Sequence, residues 1–533
     1  MPISRKSLVT LLVLLGVSAC LNIFVALKAS ITTDETHHVE YGVRVLHFQP
    51  DHYLGGLADS QMPISALNAL PHIVGTDMQK SGFLYPVSKI LVHFKAARFP
   101  TILATLALDI LVFLWACDLY GEAAGLAACL LCVLSPNLIA HGTLATTDMY
   151  HTVGVIGSLW FFRRFLLRPT WGRASLSALT LALAQITKSF TIVLYLVVGL
   201  ALLFAMFRRT PQERMPPRRA AGFLVMAAVC FVAVLNVAYT FDNSFLSLST
   251  YHFETTLFNR VQQIPVLRLT PVPVPYPFLQ GLDMMKYSEQ TGRTFGDVYL
   301  LGWLGDPRDP AFHGFKSYYV VTLFFKEPIA LQILFLWGLV WVCRNRSRED
   351  WVTAEGLLLT AAAILFCWMS FFSRAQIGIR HILPVLAVEV IIAGAAFRNF
   401  ASKTPFQKGV LGILVLWLGV SVASYYPQMI PYMNEWVHDR RLSYKFLSDS
   451  NLDWGQDTSV VSDFLRQNPD VVLDPPKPVA GRVLVRANRL TGVYRWDSAG
   501  YLLKGHQPVA QVGYAHFLFV VPEKDVVSAA QRP

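Results

Sequence analysis

The sequence predicts a polytopic α-helical membrane protein that carries polar loops on one face and a small α/β domain at its C-terminal end. Of its 533 residues, 54% are hydrophobic and only 15% are charged, whereas soluble domains carry about 25% charged residues. That much apolar side chain cannot be buried inside a water-soluble particle of this size. The composition also excludes disordered, collagen-like and disulfide-scaffold proteins.

The cysteines of the chain lie in or at the end of apolar runs. They are Cys20, Cys117, Cys129, Cys132, Cys230, Cys343 and Cys367. Cys129 and Cys132 have the spacing of a redox or metal pair, but their setting, AACLLCVL, indicates small hydrophobic residues in a core. We therefore predict no disulfide.

Eleven apolar segments are candidates for membrane spans, since a helical span needs about 20 apolar residues to cross ~30 Å of hydrocarbon. The segments are 8–28, 99–118, 123–140, 150–166, 174–187, 190–207, 220–240, 327–343, 352–372, 381–397 and 409–428. The first could instead be a signal peptide that is cleaved between Ala26 and Ser30. Its full-length apolar run favours an uncleaved anchor.

Positive charge is distributed unequally between the connecting loops. With the N-terminus inside, the inner loops and the N-terminal end carry seventeen Lys and Arg residues, and the short outer loops carry three, Lys188, Arg374 and Arg380. By the positive-inside rule this asymmetry predicts an inner N-terminus and an outer C-terminus. Because most of the net charge of +11 is thereby explained by topology, no nucleic-acid partner is expected.

Three polar blocks remain, and all are predicted on the outer side. Blocks 29–98 and 241–326 are outer loops of a membrane domain that spans 1–428, and block 429–533 is a separate domain. The third block contains a helical pattern, SVVSDFLRQN, followed by strand-like runs at 483–488 and 517–521. We therefore predict that this block forms a small α/β domain.

Ionisable residues from distant parts of the chain are predicted to share the outer membrane interface. They are Asp34, Glu35, Asp148, Lys188, Arg380 and His381. Ionisable groups at a membrane are costly, so a shared layer of acids and cations indicates a functional site. Carboxylates suit a general base, and Lys and Arg suit the phosphate of a lipid. The layer therefore fits sugar transfer from a lipid-linked phosphate, and the chain has no Gly-rich loop for a soluble nucleotide donor.

The sequence around these residues resembles a known family. Asp34-Glu35 after the first span is similar to the Asp-Glu signature in the first outer loop of GT-C glycosyltransferases. The stretches GEAAGLAACLLCVLSPNLIAHGTLATTDMYHT and QITKSFTIVLY resemble the protein O-mannosyltransferase and lipid A aminoarabinose transferase branch, which is glycosyltransferase family 39-like. GIRHILPV, IPYMNEW and LSDSNLDWGQD resemble its bacterial polyprenyl-phosphate-dependent members. The resemblance covers nearly the whole membrane portion.

The resemblance implies a GT-C fold and inverting transfer of a sugar from a polyprenyl-phosphate donor to a protein, glycan or lipid acceptor. The reaction would take place at the outer face of a bacterial inner, or plasma, membrane. Asp34 matches the general base, Glu35 would support it or orient the acceptor, Asp148 matches the second acidic site, and Lys188, Arg380 and His381 would hold the donor phosphate. Where many relatives have a His-Pro-Pro-like stretch, this chain has SQMPISALNALP at 60–71, so no acceptor role is carried over to that loop.

Two further motifs are candidates for binding. His37 and His38 are adjacent, and adjacent helical residues point about 100° apart, so they do not share a metal-ligand face. His38 is kept as a pocket residue, and the sequence leaves open whether a divalent cation takes part. Asn451, Asp453, Trp454 and Gln456 form a polar cluster, which suits either sugar or acceptor recognition or a turn that docks the outer domain.

Two other classes of protein compete with this interpretation. Asp109 and Glu389 are predicted near mid-depth of their spans, as in a proton-coupled transporter. Against a transporter, no mid-depth cation and no internal repeat is visible. A non-catalytic scaffold would explain the C-terminal block but not the interfacial charges. The sequence identifies neither the sugar, the acceptor nor the length of the lipid carrier.

The topology can be tested with reporter fusions. A fusion after Arg209 is expected to report the cytoplasm, and a fusion after Val520 is expected to report the outside, because of the positive-inside asymmetry. Paired alkaline phosphatase and fluorescent protein activities measure the two locations. The opposite result at either site would contradict the predicted orientation.

Overall fold

The computed structural model describes residues 3–51, 60–79, 85–207, 214–293, 295–345, 351–494 and 506–530. Up to residue 238 the helices are α1 (Arg5–Lys28), α2 (Thr33–Leu46), α3 (Ser65–Gln79), α4 (Tyr85–Val92), α5 (Phe99–Tyr120), α6 (Glu122–Val133), α7 (Pro136–Gly142), α8 (Asp148–Leu167), α9 (Trp171–Gln185), α10 (Val193–Met206) and α11 (Pro217–Ala238). They are followed by α12 (Thr256–Gln262), α13 (Pro265–Arg268), α14 (Tyr276–Thr291), α15 (Tyr318–Lys326), α16 (Ile329–Asn345), α17 (Glu355–Phe371), α18 (Leu383–Ala393) and α19 (Pro405–Ala423). The C-terminal helices are α20 (Thr458–Gln467), α21 (Ala487–Leu490) and α22 (Glu523–Ala530).

Each of the eleven predicted apolar segments is mainly helical, and segment 123–140 is divided between α6 and α7. Within the described residues, six helical stretches are long and apolar enough to cross a membrane, and two bent helix pairs raise the number to eight. The six are Arg5–Lys28, Phe94–Tyr120, Ser189–Met206, Pro217–Ala238, Ile379–Phe397 and Pro405–Ala423. The structure is thus that of a multi-pass helical protein, while eleven crossings and their orientation stay predictions.

Two helix pairs are bent where the backbone cannot continue a helix. The axes of α6 and α7 meet at 64°, with Ser135 as the N-cap of α7 and Pro136 at its first position. The axes of α15 and α16 meet at 113° around Pro328, which lacks the N–H that an interior helical position needs. Helices α7 and α15 both contact the short turn Ile379–Ile382.

Helix α18 lies at the centre of the membrane portion. Nearly all of its residues are buried, and it contacts α5, α6, α8, α16 and α17. A helix that is apolar all round is expected in such a central position. The short 3₁₀ turn Ile379–Ile382 at its N-terminal end carries Arg380 and His381, so the central helix begins at the functional layer.

The junction of α1 and α2 is held by one buried arginine. Arg98 donates hydrogen bonds to the carbonyls of Ala26, Ala29 and Ser30 at 2.6, 3.0 and 2.7 Å, which satisfies carbonyls that the end of α1 leaves open. It also binds Glu35 through two parallel bonds, Nε–Oε1 at 2.7 Å and Nη2–Oε2 at 2.6 Å. Both side chains are 0% exposed, so the pair fixes where α2 starts.

The C-terminal block contains a four-stranded sheet with the strand order β3-β4-β6-β5. The strands are β3 (Val472–Leu473), β4 (Gly481–Arg486), β5 (Ala510–Val512) and β6 (His516–Val521), and the second outer loop adds the hairpin of β1 (Val298–Leu300) and β2 (Trp303–Gly305). β4 is parallel to β3 and antiparallel to β6. The predicted helix and both predicted strand runs of this block coincide with α20, β4 and β6. The boundary at residue 429 stays a prediction.

The sheet is not separate from the membrane portion. Val483, Val485, Phe517 and Phe519 belong to the same continuous core as the membrane helices. A smaller cluster on the other face of the sheet includes Val461 of α20. One face of the sheet therefore rests on the helices, and the other face is covered by α20.

The Arg98–Glu35 pair is expected to be a main determinant of stability. Removing one partner of a buried ion pair leaves an uncompensated charge and costs about 3–5 kcal/mol, so Arg98→Met should lower the free energy of unfolding by that amount. Denaturant titration of the detergent-solubilised protein measures it. Arg466→Met breaks an exposed pair with Asp463 and is the matched control, with almost no effect expected. Equal losses in both variants would contradict this role.

Candidate active site

Asp34 and Arg380 form an ion pair although 346 residues separate them. Arg380 Nη1 donates to Asp34 Oδ2 at 2.6 Å, and both side chains are partly exposed, 11% for Arg380 and 15% for Asp34. Asp34 lies in the first turn of α2, and Arg380 lies in the turn that precedes α18. The structure therefore brings the predicted general base into contact with a predicted phosphate ligand.

Asp148 and Lys188 form a second pair in the same layer. Lys188 Nζ donates to Asp148 Oδ1, and Thr146 Oγ1 donates to Asp148 Oδ2 at 3.0 Å. Asp148 is the first residue of α8, where a carboxylate is stabilised by the helix dipole. Lys188 lies in the turn between α9 and α10. Both predicted acidic sites are thus neutralised by a cation from another element.

The electrostatics of Asp34 favour the ionised carboxylate. Burial raises the pKa of Asp34, but the positive charge of Arg380 and the hydrogen bond that Arg380 donates outweigh burial, so the pKa of Asp34 lies below its ordinary value. Burial lowers the pKa of His38, which keeps its imidazole neutral near pH 7. The layer therefore holds ionised acids, paired cations and a neutral imidazole side by side.

Glu35 does not face the other acids. Its oxygens accept from Arg98, from the backbone N–H of Thr32 at 2.9 Å and from the backbone N–H of Ala145 at 2.9 Å. The bond from the backbone N–H of the N-cap residue Thr32 to the side chain of Glu35 is one of the two bonds of a capping box at the start of α2. Since Ala145 lies three residues before Asp148, Glu35 positions both acidic sites at once.

The two adjacent histidines of α2 point in different directions. His37 is exposed, and His38 is 5% exposed and buried beside Asp34. Of the residues that the structure describes, no group of three or more His, Cys, Asp and Glu side chains is arranged to hold a metal ion.

The polar cluster at 451–456 mainly joins parts of the chain. The side chain of Asn451 accepts from the backbone of Ile379 at 3.0 Å, and Gln456 accepts from the backbone of Trp454 at 2.7 Å. Asp453 accepts from the backbone of Gly455 at 3.3 Å. The backbone carbonyl of Trp454 accepts from Thr33 at 3.1 Å. These bonds are those of a docking turn, one of the two interpretations of this motif.

Trp454 differs from its neighbours because its ring reaches the charged layer. The guanidinium of Arg380 lies over the indole ring, 4.2 Å from its centroid. A cation over an aromatic face is attracted to it, and the planar stacking leaves the edge of the guanidinium free for bidentate contacts. Trp454 therefore fixes the plane in which Arg380 meets Asp34.

Three residues of this layer were not singled out in the sequence. His141 and His151 are buried on either side of Asp148, and both lie within the HGTLATTDMYHT stretch. Asp449 lies two residues before Asn451, and burial raises the pKa of Asp449 to about 7, although the charge of Arg380 opposes this. The spacing of the two histidines around Asp148 was a usable signal, whereas the environment of Asp449 depends on tertiary contacts.

A cavity of about 140 Å³ opens beside the layer. Its polar lining includes Lys188, His381, Thr147, Lys286 and Glu289, and its apolar lining includes Phe190, Trp368 and Phe372. Trp368 and Phe372 are also 39% and 72% exposed on the outside of the helix bundle. The lining of the cavity thus combines charged side chains of the layer with apolar side chains that are also exposed on the surface of the protein.

The two mid-depth acids lie apart from this cavity lining. Asp109 is buried and accepts a hydrogen bond from Ser18 Oγ at 2.7 Å, which joins α5 to α1. Glu389 is buried in α18, and Glu327 lies near enough to act on it electrostatically. Asp109 therefore joins two helices by a hydrogen bond, as expected for an acid with a structural role.

The fold and the site define a multi-pass helical membrane protein with an acid and cation layer at one end of its central helix. Residues 87–242 match the family model described as dolichyl-phosphate-mannose-protein mannosyltransferase. The matched segment contains Asp148 and Lys188. The match confirms the resemblance of the chain to GT-C glycosyltransferases of the protein O-mannosyltransferase branch.

Solved structures were also compared with this chain. The oligosaccharyltransferase of Archaeoglobus fulgidus in its apo form aligns with a TM-score of 0.46 and 12% identity over 87% of this chain, which spans 58% of that protein. ArnT from Cupriavidus metallidurans aligns in the apo state with a TM-score of 0.31 and 14% identity over 96% of this chain and 99% of ArnT. ArnT bound to undecaprenyl phosphate gives 0.32 and 13%, over 98% and 100%. No curated protein sequence matches the chain.

The titration of Asp449 has a testable effect on stability. Because its pKa is raised, the protonated acid is favoured in the folded protein, and this stability is lost as the pH rises through about 7. In Asp449→Asn the neutral amide imitates the protonated carboxyl group. Asparagine also tolerates the positive φ of 57° at this position. The melting temperature of the variant relative to the parent should rise between about pH 4 and pH 7 and level off at higher pH. Asp470→Asn, at an exposed pair with Arg482, should show no such rise. A pH-independent difference would contradict the raised pKa.

Proposed function

We propose that this protein is a membrane glycosyltransferase that moves a sugar from a polyprenyl-phosphate donor to a hydroxyl acceptor. The reaction takes place at the outer face of the membrane, with inversion at the anomeric carbon and with Asp34 as general base. The observation that carries this proposal is a layer of two acid–cation pairs next to a cavity that is lined by Lys188 and His381 and by exposed apolar side chains.

The donor phosphate is bound by exchange of ion-pair partners. In the free site Arg380 is bound to Asp34, and Lys188 is bound to Asp148. A phosphate that enters the layer competes with the carboxylates for these cations and accepts bidentate bonds from Arg380. His381, at the inner end of the cavity, completes the contacts, and the prenyl chain leaves past Trp368 and Phe372.

The same exchange prepares the base. While Asp34 is bound to Arg380, its low pKa makes it a poor proton acceptor. Once Arg380 turns to the phosphate, Asp34 loses its strongest stabilising charge and becomes more basic. It then accepts the proton of the acceptor hydroxyl as the hydroxyl oxygen attacks the anomeric carbon. The bond from that carbon to the phosphate breaks, and polyprenyl phosphate leaves on Arg380 and Lys188.

Glu35 and the docking turn are positioning residues in this proposal. Glu35 is saturated by Arg98 and backbone N–H groups, so it orients the first turn of α2 and does not touch substrate. Trp454 sets the plane of Arg380. Asn451, Asp453 and Gln456 hold the turn that carries Trp454.

The family description supports the proposed substrate classes. It names a dolichyl-phosphate-linked sugar and a protein acceptor, which makes a protein hydroxyl the first acceptor to test. The matched segment covers residues 87–242 only, so the match does not identify the sugar or the acceptor of this protein. A transfer assay with a panel of polyprenyl-phosphate sugars would identify them. The proposal also places the protein in a bacterial inner, or plasma, membrane.

The mechanism predicts different defects for the base and for the phosphate ligands. Asp34→Asn keeps shape and hydrogen bonding but loses basicity, so turnover should fall at least a hundredfold with donor binding largely kept, since a positioned base contributes about 10²–10⁴-fold. Lys188→Ala or Arg380→Ala should weaken donor binding about tenfold or more, because the phosphate loses a charge-assisted bond. Steady-state transfer assays and donor titrations separate the two effects.

The mid-depth acids provide the controls and test the transporter alternative. Asp109→Asn and Glu389→Gln should leave transfer within about tenfold, or ~1.4 kcal/mol in barrier terms, because neither residue lines the cavity. If Asp34→Asn and Asp148→Asn both transfer sugar normally, the proposed mechanism is wrong. Proton-dependent uptake that Asp109→Asn or Glu389→Gln abolishes would identify a transporter instead.

A further inference from the structure

We propose that His141 is a further ligand of the donor phosphate and that it donates a hydrogen bond from Nδ1 to the leaving group. This inference rests on the proposed function, because it adds a contact to the same site. His141 lies in α7, the short helix that follows the bend after α6, and seven residues before Asp148.

The first observation is an unpaired buried atom. His141 is 2% exposed, and its Nδ1 has no hydrogen-bond partner. Burying a polar atom without a partner is costly, so such atoms are rare in folded proteins and often mark a ligand site.

The second observation is that two other side-chain nitrogens of the layer are buried without a hydrogen-bond partner. Arg380 Nε and His381 Nε2 are also buried without a partner, although Arg380 binds Asp34 through Nη1. These nitrogens come from α7 and from the turn before α18, which contact each other. Three unpaired nitrogens in one layer, all able to donate, indicate a shared acceptor such as a phosphate.

The third observation places His141 against the phosphate ligands. Its ring lies 5.9 Å from the ring of Trp454, and Trp454 also carries the guanidinium of Arg380 at 4.2 Å. Asp148, Lys188 and Arg380 lie near enough to act on His141 electrostatically. His141 thus lies beside the residues that are proposed to hold the phosphate.

The contact suits the proposed bond changes. As the anomeric carbon–oxygen bond breaks, its electron pair moves to a phosphate oxygen, and charge grows on the leaving group. A fixed N–H near that oxygen stabilises the growing charge without reorganisation. No proton leaves His141 in this step, because the acceptor proton goes to Asp34 and the phosphate departs as an anion.

The test compares binding of undecaprenyl phosphate and undecaprenol to the full-length protein in detergent. His141→Phe keeps a ring against Trp454 but removes the donor, and it should weaken undecaprenyl phosphate binding at least tenfold with undecaprenol binding unchanged. His141→Asn keeps an amide donor near the Nδ1 position and should retain binding within about threefold. His252→Phe makes the same change at an exposed histidine of the second outer loop and is the matched control.

The outcomes separate this inference from the proposed function. If the parent protein binds the phosphate no better than the alcohol, the proposed function itself is wrong. If the parent prefers the phosphate but His141→Phe keeps that preference, the role of His141 is wrong. Should His141→Phe fail to fold, His141→Gln replaces it: its amide reaches the Nε2 position only, so the same tenfold loss is expected, and unchanged binding contradicts the inference.

Discussion

The buried ion pair between Arg98 and Glu35 is the constraint on which the site depends. Arg98 binds carbonyls at the end of α1, and Glu35 lies in the first turn of α2. The pair therefore fixes the position and the angle at which α2 starts. Asp34 precedes Glu35, and adjacent helical side chains diverge by about 100°. Directing Glu35 into the core therefore directs Asp34 towards Arg380. The bond from the backbone of Ala145 extends this control to Asp148.

Charge compensation explains why the ionised side chains of the layer are stable when no substrate is bound. Buried or half-buried ions are tolerated only when they are paired and hydrogen-bonded, and each cation of the layer is bound to a carboxylate. The same pairing makes the site responsive, because a phosphate offers the cations an equivalent partner. In the proposed mechanism this exchange links donor binding to the basicity of Asp34, so that the base becomes active when a donor is present.

The C-terminal block, residues 429–533, completes the layer together with the membrane helices. Lys326 is buried at the α15–α16 bend and donates to the carbonyls of Ile430 and Asn451 at 2.6 and 2.9 Å. These bonds hold the turn that places Trp454 under Arg380. The C-terminal sheet then packs on the helices through residues such as Phe517, so the outer block contributes to the geometry of the site as well as covering it.

The sequence by itself determined the class of membrane protein, the helical segments and the residue types of the layer, because apolar length and charge distribution are local properties. It indicated Asp34, Asp148, Lys188 and Arg380 through their place at span ends. It could not pair Glu35 with Arg98 or Asp34 with Arg380, and it could not reveal the burial of His141 or the surroundings of the half-buried Asp449. Those features arise where segments hundreds of residues apart meet, and burial and pairing, which set charge and basicity, exist only once the chain is folded.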